Sequence, residues 1–363
     1  MHTTPSKIAS NSGIMSAEHA VLMNALYEEA HSGNTKRTYQ KQFGYFVQWC
    51  TDHGLPFDPS KDVVTPEHLA VHITDLFKQG SRLDTIKARV RAVAAFHKIQ
   101  QEHRSKQGVE RMPSPTGDHK VTKLLQGIRN TIAKQVQAGD ARQGKKKASC
   151  MWSDDLFRCA ATINTDTIEG KRNLAVLLVG WAGGFRRSEL VSVKVEHLEW
   201  KRTNEFDGIV ITLHSTKTKK KVTKQIRREP ASAPWCPVRA LEAWLAVADV
   251  KAGFVFRSFN MLGMSKTKPL AITDKGLPDK CVDLLVKKLA KDASLAEGKW
   301  SAHSLRRGYI SQHLAWGVEE QAVRRQAGFT PSSPVFFEYV EEARDHAETR
   351  SSLYAPGRHL YAT

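Results

Sequence analysis

Ser301–Ile310 reads SAHSLRRGYI and sets His303, Arg306 and Arg307 within little more than one helical turn. His303 and Arg306 are three residues apart, so on a helix they lie on one side. An imidazole and a guanidinium converging on one phosphate stabilise the charge that develops in a transition state. Arg307 points away from that pair, toward a DNA backbone or an acid. A second cationic stretch, AGGFRRSELVSV, places Arg186 beside Gly183 and Gly184, whose freedom allows a tight turn. There Arg186 either grips two phosphate oxygens as a fork or pairs with Glu189. The run STKTKKK carries Lys217 and Lys219 at the tip of an expected hairpin. A lysine there either lends a proton to a leaving oxygen or is a solvated charge. Finally, QAGFTPSSPVFFEYVEEARDHAE brings Tyr339 after a proline-containing turn. Its phenol, with an ordinary pKa of about 10, becomes a useful nucleophile when arginines offset the charge of its target. Its bland role is packing with Phe336 and Phe337.

Other chemistries are unsupported. The chain has no G-x-x-x-x-G-K-[ST] loop, no G-x-G-x-x-G, no H-E-x-x-H and no His/Cys cluster at metal-ligand spacing. No cofactor and no metal are expected. Its five cysteines are scattered without a C-x-x-C pair, which favours a reducing compartment. Lys plus Arg number 55 against 37 Asp plus Glu, a net charge of +18 that favours a polyanionic partner. No apolar run approaches the roughly 20 residues of a membrane span. The first twenty residues lack the features of a signal peptide. The expected setting is intracellular and DNA-associated, with no membrane partner.

The elements that must position these groups form two domains. Residues 1–15 read as a flexible tail and 16–138 as an all-α domain. A short helix is expected from Ala17 to about His31. Another starts at Asn34 as N-cap, with Tyr39, Phe43, Phe46, Val47 and Cys50 at helical spacing. Thr65 with Pro66 opens the next, striped by Leu69, Ile73, Leu76 and Phe77. A third turns Ile86, Val90, Val93 and Phe96 inward, leaving Lys87, Arg89 and Arg91 as candidate phosphate-backbone contacts. A fourth starts near Asp118. Residues 139–150 (GDARQGKKKASC) read as a linker whose Lys145, Lys146 and Lys147 are also candidate DNA contacts. Residues 151–363 form the second domain. It opens with a helix capped by Ser153, continues through a buried helix at Leu174–Trp181, and contains a basic hairpin with Ile209, Ile211, Leu213, Val222 and Ile226 inward. The remainder reads as helices and loops. The fold class is mainly α, with an N-terminal bundle and a C-terminal α+β domain holding a small antiparallel sheet.

Taken in chain order, Arg186, Lys217, His303 with Arg306, and Tyr339 resemble the signature of the tyrosine recombinase (phage integrase) family. GGFRRSEL is similar to the family's first arginine box, HSLRR to its H-x-x-R box, and STKTKKK to its hairpin lysine, best matched by Lys217. GFVFRSFN, CPVRALEAW and RRQAGF resemble further segments of Cre-like and phage or plasmid integrases. The resemblance implies a core-binding first domain and a catalytic second domain with a C-terminal oligomerisation segment. It implies double-stranded DNA with a specific recombination site as partner, and a homo-tetramer on two such sites. It assigns Tyr339 as nucleophile, Arg186 and Arg306 as phosphate clamps, His303 to proton transfer and Lys217 as acid to the leaving oxygen. One position departs: Phe329 follows Gly328 where the family usually has His or Trp, and a phenyl ring donates no hydrogen bond. A type IB topoisomerase-like nicking and resealing enzyme, a transposase using the same chemistry, and a catalytically silent DNA-binding protein stay open as alternatives.

Overall fold

The computed structural model describes residues 33–55, 57–59, 61–139, 147–214, 221–260, 271–296 and 298–349. The expected helix at Ala17–His31 lies outside these residues. The chain divides into two compact units, with the break between Lys145 and Lys146.

The first unit is built from four helices: α1 (Gly33–Asp52), α2 (Pro66–Lys78), α3 (Leu83–Lys106) and α4 (His119–Gln137). Apolar residues at helical spacing on each helix meet in one core. Phe43 of α1 stacks on Phe96 of α3 with centroids 3.9 Å apart, and Phe46, Ile73, Ile86 and Ile128 close around them. The start of α2 is fixed locally. The Thr65 hydroxyl accepts from the His68 amide at 3.2 Å, and Pro66 fills the first helical position, where a missing N–H costs nothing. Asp118 caps α4 in the same way through the Lys120 amide. Asn34 is already inside the described part of α1, so it does not cap it.

The second unit is organised around α6 (Ile168–Ala182), following α5 (Ser153–Ala161). Ala175 to Val179 are all almost without exposed surface. A helix apolar all round belongs in the interior, and α6 is covered by α8 (Pro237–Val247) and α10 (Ala302–Ala315). Between α6 and α8 along the chain come the short α7 (Arg187–Val191) and an antiparallel sheet in the order β1 (Leu198–Arg202), β2 (Asp207–His214), β3 (Lys221–Arg227). Ile209, Ile211 and Leu213 of β2 and Ile226 of β3 face the core, as their alternation requires. A second sheet pairs β4 (Arg257–Phe259) with β5 (Ile272–Gly276), and the described residues continue through α9 (Asp279–Asp292), α10, α11 (Glu320–Ala327) and α12 (Phe337–Thr349). No helix among the described residues is long and apolar enough to cross a membrane.

Three local readings change. Ser153 is the first residue of α5 and not its cap; its amide and hydroxyl both donate to Gln312 Oε1 at 3.0 Å, so α10 supplies the cap from 159 residues away. The hairpin gains a third strand, β1, whose mixed exposure has no clean period of two. The β4–β5 sheet stands where loops were expected, because a three-residue strand carries too short a pattern to register. All five cysteines are free thiols.

Phe96→Ala removes the ring stacked on Phe43 and leaves a cavity in the first core, which is expected to cost about 3–5 kcal/mol. Hydrogen exchange followed by mass spectrometry should show lost protection in α1–α4 and unchanged protection from residue 151 onward.

Candidate active site

Arg306 projects from the first turns of α10 into the second unit's core, with 1% of its surface exposed. Its Nη1 donates to the Gly184 carbonyl at 2.7 Å, while Nη2 is buried and has no hydrogen-bond partner within the protein. Burial first, and then the neighbouring Arg186 charge, push its pKa down to about 10, which leaves it protonated at neutral pH. Gly184 makes this possible. Its φ is +54°, and a Cβ there would come within 2.7 Å of the Tyr309 ring, so the turn that aims its carbonyl at Arg306 admits glycine alone.

Arg186 follows that turn and N-caps α7. Glu189 Oε1 accepts from Arg186 Nη1 at 2.6 Å, and Oε2 accepts from the Arg186 amide at 2.9 Å. Arg186 Nη2 donates to the carbonyl of Gly328 at 3.3 Å. Of the two sequence readings of Arg186, the pair with Glu189 is formed, and 48% of the Arg186 side chain is exposed. Gly328 ends α11 in the left-handed conformation, φ +68°, which turns the chain back toward Arg186.

Tyr339 lies in the first turn of α12 with 3% of its surface exposed, and its hydroxyl is 3.4 Å from His303 Nε2. Desolvation raises the phenol pKa, opposed by Arg306 and Arg307, so the group holds its proton at neutral pH. Desolvation, followed by the charges of Arg306, Arg307 and Arg186, lowers the His303 pKa, so its imidazole is neutral there and able to accept a proton. Residues far apart in sequence, Arg186, His303, Arg306 and Tyr339, are thus gathered into one place. Lys217 and Lys219 lie outside the described residues.

Residues 152–346 match the phage integrase family. The chain belongs to this family. It is 28% identical over 328 residues to an integrase/recombinase XerD homolog of Selenomonas ruminantium, covering 89% of this chain and 86% of that one. Its fold is similar to XerH recombinase in a post-cleavage complex with a palindromic difH substrate, with a TM-score of 0.59 at 14% identity over 95% of this chain and 91% of that one. It is also similar to a lambda integrase dimer bound to a COC′ core site, with a TM-score of 0.51 at 14% identity over 89% and 75%.

The gathered residues are carried by a scaffold that sequence reasoning left largely unseen. Arg307, expected to reach a DNA backbone or an acid, is 6% exposed and is ion-paired with Glu342 of α12; Ser311 donates to the other Glu342 oxygen at 2.8 Å. Of the two expected partners Arg307 meets an acid, and the pair fastens α10 to the helix bearing Tyr339. The stack of Trp152 on His346, with centroids 3.5 Å apart, fastens the far end of α12. Phe329 packs edge-on against Phe336 and Tyr339, and the Arg306 guanidinium lies 4.7 Å over its ring. The cluster therefore has an aromatic wall at this position. Among the other candidate DNA contacts, Arg89 is half-buried with its guanidinium 3.8 Å over the Tyr45 ring, and Lys147 pairs with Glu338 at 2.9 Å. Lys87 is half-buried and Arg91 exposed, while Lys145 and Lys146 lie outside the described residues. Two functional-site neighbours escaped the motif reading: Glu342 and Lys224. The period of two in Val222, Lys224 and Ile226 was the signal for the latter.

Removing Glu342 strands the Arg307 charge in a buried position. Glu342→Ala is expected to lose about 2–3 kcal/mol of stability, while Arg307→Met combined with Glu342→Leu recovers most of that loss. Urea unfolding of both variants checks the pairing.

Proposed function

We propose that this chain is a site-specific recombinase that cuts and rejoins duplex DNA through a 3′-phosphotyrosyl intermediate. The observation that carries the reading is a fully buried guanidinium with a free edge. Arg306 Nη2 lacks a protein partner beside the half-open Arg186, and the Tyr339 phenol sits 3.4 Å from an imidazole nitrogen. Burying a cation without satisfying it is costly, and an anionic ligand with two oxygens to offer offsets that cost.

In this reading a scissile phosphate enters against Arg186 and Arg306, which bind its non-bridging oxygens and stabilise the added charge of the transition state. The Tyr339 oxygen forms a bond to phosphorus as its proton passes to His303 Nε2. The bond from phosphorus to the 5′ oxygen breaks, and Lys217 supplies that oxygen's proton. One phosphodiester is exchanged for another, so the step needs no ATP. A 5′-hydroxyl from a partner strand then attacks the phosphotyrosine and returns the phenol its proton. DNA as partner is supported by family membership and by the DNA bound in the XerH and lambda integrase complexes. The basic excess supplies salt-sensitive affinity that does not depend on sequence. We read the working assembly as a tetramer on two sites, with the segment after Tyr339 docking on a neighbouring subunit, and the two domains as core-binding and catalytic. Phe329 favours one competing reading, a silent DNA binder, because it puts a phenyl ring where the family has a donor.

A nicked suicide substrate, which loses its short fragment after cleavage, separates these readings. Wild type is expected to trap DNA covalently and Tyr339→Phe to trap none. Arg306→Ala and Arg306→Lys should each slow trapping on the order of 10²–10³-fold, since the second keeps the charge but loses the fork. Binding without trapping would establish the silent binder. Relaxation of supercoiled DNA of any sequence by a monomer would establish the nicking and resealing enzyme.

A further inference from the structure

Lys224 is the one buried lysine among the described residues, with no exposed surface at all. It occupies an inward position of β3 between Val222 and Ile226, opposite Ile211 of β2. An apolar side chain would satisfy that position, as it does at Ile226, so the fold alone gives no reason to bury an amine there. Its contacts give one. Nζ donates to the Gln326 carbonyl at 2.7 Å, lies 3.8 Å from Glu189 Oε2, and sits 5.0 Å over the Phe185 ring.

These contacts reach both supports of the Arg186 fork. Glu189 is the carboxylate that accepts from Arg186, and Gln326 begins the turn whose Gly328 carbonyl takes the other Arg186 nitrogen. The Gln326 side chain adds two bonds to the backbone of Gln225 on β3, at 3.0 and 2.8 Å, so the last turn of α11 is clamped to the strand that carries Lys224. The ammonium contacts neither the Tyr339 hydroxyl nor His303 in any hydrogen bond and so acts through other groups.

Resting on the recombinase reading, we propose that Lys224 is a positioning residue of the phosphate site: its ammonium, held between Glu189 and the Gln326 carbonyl, sets the Arg186 fork and the Gln326–Gly328 turn for an incoming DNA phosphate. The charges around it explain why the lock depends on ligand. Glu189 from α7 attracts it, while Arg186 at the cap of α7 and Arg306 from α10 repel it. The α11 side contributes the neutral Gln326, and β2 contributes Ile211. The charged Arg324 of α11 is turned to Glu320 and the Phe336 ring. Without DNA the cluster holds three cationic groups against one carboxylate, and burial with that repulsion brings the amine down to about 7. A phosphodiester adds one negative charge and shifts the amine toward its protonated form, so binding takes up a proton.

The direction of the pH effects follows. An ordinary lysine in the unfolded chain titrates near 10.4. Between about pH 7 and pH 10 the folded chain therefore binds fewer protons than the unfolded one, and the stability of wild type rises with pH relative to a variant without the amine. DNA engagement moves the other way. Its affinity at the phosphate site weakens as pH rises above about 7, by at most about tenfold per unit for one proton.

The test uses the full chain, the Lys224→Met and Lys224→Gln variants, and a short duplex of random sequence at low salt alongside the nicked substrate. Gln keeps a donor for the Gln326 carbonyl and removes the charge, so it serves if Met fails to fold. NMR of Cε-labelled lysine, with the Lys224 signal assigned by its absence in either variant, should show titration near neutral pH that moves upward when the duplex is added. Calorimetry in two buffers of different ionisation heat should show proton uptake by wild type that is reduced in the variants. Covalent trapping should fall on the order of 10- to 100-fold in the variants, as expected for a displaced clamp, and lose the decline above neutral pH, with duplex binding changed far less. A Lys224 signal titrating like an exposed lysine overturns the inference. So does trapping by Lys224→Gln with the wild-type rate and pH profile, and that result leaves the recombinase reading intact. Failure of wild type itself to trap DNA overturns that reading and the inference with it.

Discussion

A guanidinium buried with one edge unsatisfied is the constraint around which the second unit is arranged. Arg306 is held on one nitrogen by the Gly184 carbonyl and left open on the other. Keeping a charge in that position is helped by a rigid acceptor, an aromatic face and a nearby counter-charge. The Gly183–Gly184 turn supplies the first, because only a residue without Cβ fits against Tyr309 at positive φ. Phe329 supplies the second. Glu189 supplies the third, shared with Arg186 and Lys224.

The helix that bears Tyr339 obeys the same logic of distant fastening. Tyr339 lies in the first turn of α12 and faces inward with Val340 and Ala343. The helix is fixed to α10 by the Arg307–Glu342 ion pair and the Ser311–Glu342 hydrogen bond, and to the start of α5 by the Trp152–His346 stack. Since α10 also presents His303 and Arg306, the phenol, the imidazole and the guanidinium share one frame. Their separation is set by packing between helices and not by loop conformation. Preorganisation of this kind is what electrostatic catalysis requires, because the donors need no rearrangement as charge develops.

The substitution of Phe329 for a hydrogen-bond donor makes sense in that setting. The ring lies under the Arg306 guanidinium and against Tyr339 and Phe336. Its face against the guanidinium gives that cation a favourable aromatic contact.

Several features were legible in the sequence because they are local. Helix stripes such as Ile86, Val90, Val93 and Phe96, the Thr65–Pro66 start, the alternation of Ile209, Ile211 and Leu213, and the order of basic boxes all follow from spacing along the chain. The residue types at the site were legible for the same reason, since His303 and Arg306 are three apart on one helix. The rest depended on partners far along the chain. Whether Arg307 meets solvent or Glu342, and whether Ser153 caps its own helix or is capped by Gln312, follows from which helices pack together. Lys224 is the sharpest instance: its strand pattern points inward, but its charge points outward. Only the arrival of Glu189 and the Gln326 carbonyl from other elements makes its burial tolerable. The sequence by itself determined the elements, the basic character and the chemical groups, because propensity, periodicity and charge are properties of short segments. The tertiary structure decided which cations are buried and which are paired, because desolvation and counter-charge depend on neighbours that the chain brings together only when it folds.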